Sequence, residues 1–349
     1  MEIPPARNND AEQTSPPDAI DFHLDHGAVV IEGGSGAAIH GAPPTRMRFE
    51  VIPGHGVALP PRPMSAAQQR EALDGIASLI ESHYVFTDVA RVCAREVRGR
   101  PLVDEGLTTG EFCERLTAAL RAHDRHFSVM WGAPTDLPLK SGAPSGGSSV
   151  TFHRDGCVGV IKIALFEDGD DADAVRRVRA SLKMLSQCEV GVFDVRRNPG
   201  GWPSMVERVL GAVLGPEPVE IVTFKSAREP DVVSWSRPDP YLLRLATMPV
   251  LAVTGPGTAS AAESFVYALQ TTRRATLIGE TTAGAANPVE AFLDRTGFSV
   301  YISTGAPIDP RTDANWDQVG VVPDLVVDTE RALEVAIEKA KAACRQPAP

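Results

Sequence analysis

Apolar positions along this chain recur with two periods, and the change of period divides it. Between residues 65 and 125 they fall three and four apart. Leu73, Ile76, Ile80 and Tyr84 share one helical face, and Phe112, Leu116 and Leu120 share another. Each run opens on a capping box, Ser65 with Gln68 and Thr108 with Glu111, in which side chain and backbone satisfy each other's unpaired donors. The second helix is expected to end near His123. Beyond it, short apolar runs alternate with amphipathic stretches. Val158 to Leu165, Val190 to Val195, Val219 to Phe224, Pro249 to Val253 and Ala275 to Ile278 read as strands, and Phe298 to Ile302 alternates. Asp171 to Cys188, Pro203 to Leu214, Ala259 to Gln270 and Thr329 to Cys344 read as helices. Strands and helices in turn predict an α/β fold with a largely parallel sheet and crossover helices.

The first sixty residues follow neither pattern. Residues 1–19 are rich in Pro, Asn, Asp, Ser and Gln, a composition that predicts disorder. Over 20–63, short alternating runs such as Ile20 to Leu24, Ala28 to Ile31 and Met47 to Ile52 are separated by Gly and Pro, which predicts a β-rich lead-in. The expected organisation is therefore 1–19 disordered, 20–63 β-rich, 64–130 a helical subdomain and 131–349 the α/β core, with Lys140 to Ser149 a flexible linker or lid.

The net charge is −11, and an acidic surface disfavours nucleic acid and anionic membrane as partners. No run approaches the roughly 18 apolar residues of a membrane helix. The opening segment has no basic start followed by an apolar stretch, so a secretory signal is not expected and a cytoplasmic location is. The five cysteines form no close-spaced pair and are expected as reduced thiols. Nothing in the sequence speaks to subunit assembly.

Three predicted loops at strand ends carry candidate chemistry, the place where such sheets build sites. The first, Val253 to Glu263, runs from a strand through Gly255 and Gly257 into a helix of small residues. Ser260 falls in its first turn, where free amides and the helix dipole favour developing negative charge. The amide of Ala261 is a candidate oxyanion donor. Thr258 or Ser260 also reads as a plain N-cap. The second, Asp194 to Trp202, ends a strand in Gly200-Gly201, whose amides suit an acceptor, although a tight turn without a ligand reads equally well. Trp202 and Gly257 are candidates for contact with substrate. The third, His123 to Val129, holds His126. Two histidines three apart can hint at metal, but no cysteine or carboxylate pattern completes a ligand set, so no metal or other cofactor is expected.

In this order the segments resemble the tail-specific (C-terminal processing) serine peptidase family. They are most similar to its branch containing the interphotoreceptor retinoid-binding protein repeats and tricorn-like proteases. The resemblance rests on five pieces: Asp124-Arg125-His126, Asp194 to Gly201, Thr258 to Glu263, Arg274 to Gly284, and Asn315 to Asp324. It implies a ClpP/crotonase-like core and a serine endopeptidase working through an acyl-enzyme on peptide or protein substrates. Ser260 would be the nucleophile, His126 its base, and Ala261 with Gly200 or Gly201 the oxyanion hole. Where one branch carries a lysine, this chain reads Thr282-Ala283-Gly284-Ala285-Ala286-Asn287, so a Ser-Lys pair is not expected. Asp317 stands where the resemblance has the glutamate that orients the histidine, one methylene shorter. Two other readings stay open: an acyl hydrolase or transferase in a biosynthetic pathway, and a non-catalytic relative that binds a ligand or peptide.

Overall fold

The computed structural model describes residues 21–25, 28–32, 59–102, 106–134 and 148–345. The disorder expected over 1–19, the apolar run at 47–52 and most of the 140–149 linker lie outside them. The chain forms two units, Met1–Phe49 and Glu50–Pro349. In the first, β1 (Asp21–Asp25) pairs antiparallel with β2 (Ala28–Glu32).

The second unit opens with three helices, α1 (Ala66–His83), α2 (Thr87–Arg98) and α3 (Thr109–Leu120). Both expected capping boxes form, with Ser65 and Thr108 as N-caps. The helix α3 stops at Leu120, short of His123. Strands and helices then alternate through β3 (Ser128–Trp131), β4 (Val150–Asp155), β5 (Val158–Ile163), α4 (Ala172–Leu185), β6 (Val190–Asp194), α5 (Pro203–Leu214), β7 (Glu220–Ser226) and β8 (Val232–Trp235). The chain continues through a single turn α6 (Arg244–Thr247), β9 (Val250–Thr254), α7 (Ala261–Thr271), β10 (Thr276–Gly279), β11 (Val289–Leu293), β12 (Phe298–Ser303), β13 (Gly305–Ile308), β14 (Leu325–Val326) and α8 (Thr329–Cys344).

Six strands build the central sheet in the order β14-β10-β9-β6-β5-β4. All neighbours run parallel except β4, which pairs antiparallel with β5. Side-chain alternation splits the core between its faces. Phe193, Ala252 and Leu277 meet α4, α5 and α7, while Val192, Val253 and Ile278 meet α8. The last helix lies close because the side chains it buries fully against the sheet, Ala332, Ala336 and Ala340, are small, with Leu333 and Ile337 partly buried beside them. The N-terminal helices share a third core with β3, β11 and β12, which form their own sheet in the order β11-β12-β3. All six residues of β12 are buried, so its alternating sequence does not mark a solvent face. Among the described residues, no helix is long and apolar enough to cross a membrane.

The cysteines depart from the expectation of five reduced thiols. Cys157, just before β5, is joined to Cys344 at the end of α8, 187 residues away. No local spacing signals this pair, because it exists only once α8 folds back onto the sheet.

Candidate active site

The order β10-β9-β6 makes three parallel neighbours, so the loops leaving Gly279, Thr254 and Asp194 emerge on one edge of the sheet. Two of them are bonded together. The Ala259 amide donates to the Asn198 carbonyl at 3.0 Å, and the Thr258 hydroxyl donates to the Val195 carbonyl at 2.8 Å. Arg196 pairs with Asp194 at 2.9 Å and donates to the Thr329 carbonyl at 2.7 Å, which ties this turn to the start of α8.

Ser260 caps α7 with φ 51° and ψ −122°. A side-chain-bearing residue rarely adopts that backbone, and holding it there costs about 1–3 kcal/mol. Such strain persists only where the surroundings over-determine it. Here the Ser260 amide donates to Glu263 Oε2 at 2.9 Å, and Gly200 presses from the other side. A Cβ on Gly200 would lie 2.8 Å from Ser260 Cβ and 3.1 Å from the Ala261 nitrogen. The Gly200 amide is taken by Asn198 Oδ1 at 2.8 Å. Among the described residues no acceptor meets the amides of Ala261 and Gly201. Trp202 is half-buried and caps α5, its amide on the Phe166 carbonyl. Gly257 is exposed and lies against the Arg196 carbonyl, which a Cβ would approach to 3.0 Å.

Glu263, one turn into α7, is fully buried. It accepts from Ser260, from the Thr282 hydroxyl, and from the amides of Gly284 and Ala285 at 2.7 and 2.8 Å. Burial pushes its carboxyl above the ordinary value, and the four donors offset that only in part. The next two amides of the same loop, Ala286 and Asn287, turn to Asp317 Oδ1 at 3.2 and 3.1 Å. Four successive amides are thus divided between two carboxylates, and the loop spans the distance from the Ser260 turn to the Asp317 segment.

His126 sits beside Asp317. Its Nδ1 lies 2.8 Å from Asp124 Oδ1 and 3.7 Å from Asp317 Oδ2. The first is a hydrogen bond and the second is beyond one. Asp124 is buried and also accepts from the His126 amide, from the Ser303 hydroxyl at 2.8 Å and from Gln318 Nε2 at 3.0 Å. Burial raises its carboxyl, but the His126 bonds, the His126 charge and Ser303 outweigh burial and hold it below 3.8. Burial and the Asp124 carboxylate together push the neighbouring Tyr84 phenol up. The Asp124 contact is what the sequence reading lacked. The Asp-x-His spacing was visible, yet only the fold shows that this aspartate reaches the ring of its own i+2 neighbour.

The structure gathers Ser260, Ala261, Gly200 and Gly201 around one turn, and His126, Asp124 and Asp317 around another. No hydrogen bond joins the Ser260 hydroxyl to His126 among the described residues. Asp124, His126 and Asp317 each offer a ligand atom within 4.8 Å of the others, close enough to hold a metal ion. A separate cleft of about 430 Å³, lined by Pro249, Gln270, Arg273 and Asp324 among others, opens at the far end of β9, away from Ser260.

Residues 157–327 match the model of peptidase family S41. That span holds Ser260 and Asp317 and leaves out His126. A carboxy-terminal-processing protease of Bartonella bacilliformis is 26% identical over 184 residues, 52% of this chain and 41% of that protein. The chain thus spans less than half the length of this relative. Among solved structures, the photosystem II D1 C-terminal processing protease aligns with a TM-score of 0.51 at 14% identity, over 75% of this chain and 94% of that one. A candidate peptidase from Parabacteroides merdae aligns with a TM-score of 0.57 at 17% identity, over 79% and 97%. At such identities the structures establish the shared mixed α/β fold. The family match covers just under half of the chain, and with the protease relative it makes this chain similar to peptidases of family S41.

Proposed function

We propose that this chain is a serine endopeptidase that cuts peptide bonds through an acyl-enzyme, with Ser260 as nucleophile and His126 as general base, closest in type to the retinoid-binding-protein-like and tricorn-like branch. The observation that carries the reading is the strained Ser260 turn, flanked by two amides without acceptors and linked by the 282–287 loop to a carboxylate-held imidazole. Strained backbone of this kind concentrates at active sites.

In the reaction the Ser260 oxygen bonds to the scissile carbonyl carbon while its proton passes to His126. With Nδ1–H directed at a carboxylate, Nε2 is the accepting atom. The oxyanion is met by the Ala261 and Gly201 amides. His126 returns the proton to the leaving amine, and water activated by His126 then releases the acyl group. Loop 282–287 contains no lysine, and its 284–287 amides are occupied by Glu263 and Asp317, which favours histidine over lysine as the base. No cofactor is required by this sequence of steps. The substrate would be a peptide or protein, and a cytoplasmic location belongs to the same proposal.

One observation favours a second reading, a non-catalytic peptide or ligand binder: the Ser260 hydroxyl is not bonded to His126. In free enzymes such contacts are often long and tighten when substrate binds. A fluorophosphonate probe separates the two. Labelling at Ser260, located by mass spectrometry and lost in His126→Ala, is the expected result. No adduct, under conditions that label a known serine hydrolase, would favour the binder or a site that assembles only when substrate arrives.

A further inference from the structure

We infer that Asp124 is the positioning residue that orients His126 for the proposed reaction, and that Asp317 instead holds the Ala286–Asn287 end of the neighbouring loop. This rests on the serine-peptidase reading for its consequence, but the division of labour stands on geometry alone.

The two carboxylates reach the same nitrogen and are bound differently. Asp124 Oδ1 is 2.8 Å from Nδ1, whereas the nearer Asp317 oxygen is 3.7 Å away. Asp124 is anchored by donors from three places: Ser303 at the end of β12, Gln318 beyond β13, and the His126 backbone amide. A buried carboxylate held by these three donors is fixed in orientation, and the imidazole Nδ1 lies 2.8 Å from its Oδ1. Asp317 spends Oδ1 on the Ala286 and Asn287 amides and Oδ2 on Gln318 Nε2 at 3.1 Å. Its nearer oxygen to Nδ1, Oδ2, is thus already taken by Gln318. Gln318 donates to both acids and keeps them apart in role: it lies between the two oxygens that flank the ring. The shorter acid at position 317 therefore leaves the ring to its i−2 neighbour, whose carboxylate also accepts the His126 backbone amide at 2.8 Å, which fixes the spacing.

The test uses the full chain and needs no turnover. A proton on Nδ1 bonded to a buried carboxylate gives a low-field resonance in the proton NMR spectrum, assigned by its absence in His126→Ala. In Asp317→Asn the resonance persists; in Asp124→Asn it is lost. Absence in the wild type, loss in Asp317→Asn, or persistence in folded Asp124→Asn would each overturn the assignment. If Asp124→Asn does not fold, the Asp317→Asn spectrum decides alone. In parallel, the rate of fluorophosphonate labelling should fall up to about 10⁴-fold in Asp124→Asn, the loss seen when an orienting aspartate is neutralised, and no more than about tenfold in Asp317→Asn. A wild type that never labels would count against the peptidase reading and leave the spectrum to judge this one.

Discussion

Gly200→Ala tests whether the contact between the glycine turn and Ser260 is functional. The new Cβ would stand 2.8 Å from Ser260 Cβ, 3.0 Å from the Ala259 carbonyl oxygen and 3.1 Å from the Ala261 nitrogen. Two of these are backbone atoms of the nucleophile turn, so relief requires that turn to move. Gly200 also has φ +118°, a region closed to most side chains. Backbone strain of about 1–3 kcal/mol and overpacking of about 1–3 kcal/mol give a destabilisation of about 2–6 kcal/mol. Gly156→Ala is the control, since it has φ +62° and nothing within 4 Å of the added carbon. It carries strain alone, about 1–2 kcal/mol. Displacing reacting groups by about 1 Å costs on the order of 10²-fold in rate. The expectation is a labelling rate at Ser260 reduced about 10²-fold in Gly200→Ala and unchanged in Gly156→Ala, with urea midpoints shifted more in the first. Equal midpoints and equal labelling in the two variants would refute the argument that Gly200 shapes the nucleophile turn.

Replacing Glu263 by glutamine turns one acceptor oxygen into an NH₂ that faces two donors, and should cost about 2–4 kcal/mol in urea unfolding at neutral pH. The pH dependence has a defined sign. A carboxyl whose folded pKa is raised holds its proton where the unfolded chain has lost it, so its contribution to stability is greatest below 4.5 and declines as pH rises through the folded value. The advantage of wild type over Glu263→Gln should therefore shrink upward from pH 4.5, and an advantage that grows instead would contradict the burial argument. Asp124 acts oppositely, its stabilisation being present above 3.8 and lost as pH falls, so Asp124→Asn should flatten the acid limb of the wild-type stability curve. Cys344→Ser opens a loop of 187 residues and should lower stability by about 4–5 kcal/mol under oxidising conditions. Under reducing conditions, where the wild-type bond is open, the two proteins should unfold alike.

Much of the core could be read because its signals are local. Pro203–Leu214 and Thr329–Cys344 form as helices over the residues expected, since each begins at a clear signal, proline at the first turn of one and Asp328 as cap of the other. The strands β5, β6, β9 and β10 lie within two residues of their apolar runs, because strands covered on both faces are apolar throughout. The helix α2 and the strands β4, β8, β11 and β13 carried no such mark. In β8, Val232, Val233 and Trp235 are all substantially exposed, and β4 is a polar edge. Motif residues also proved hard to sort into site and scaffold. Arg274 opens one of the motifs, yet it is half-buried and donates to the carbonyls of Val213 and Met248, a structural tie. Asp324 likewise caps the Leu277 amide at 2.7 Å.

The candidate site was legible in its chemistry and not in its wiring, and the reason is sequence distance. Ser260, Gly200 and Gly201 belong to turns that announce themselves with small residues beside apolar strands. The contact that matters to the histidine needs β12 to bring Ser303 and the Asn315–Gln318 segment to bring Gln318, 179 and 194 residues from Asp124. A similar limit applies to Glu263. Its spacing from Ser260 predicts service to the start of α7, which it performs, but its bonds to Gly284 and Ala285 arise only because β10 lies beside β9 and releases its loop on the same edge. The lysine-free loop then has a physical role. With two amides on Glu263 and the next two on Asp317, it fixes how far the nucleophile turn stands from the histidine pair. The spacing of the proposed Ser260 and His126 pair is thus set by backbone amides, which substitution of the 283–286 side chains by other small residues would leave in place.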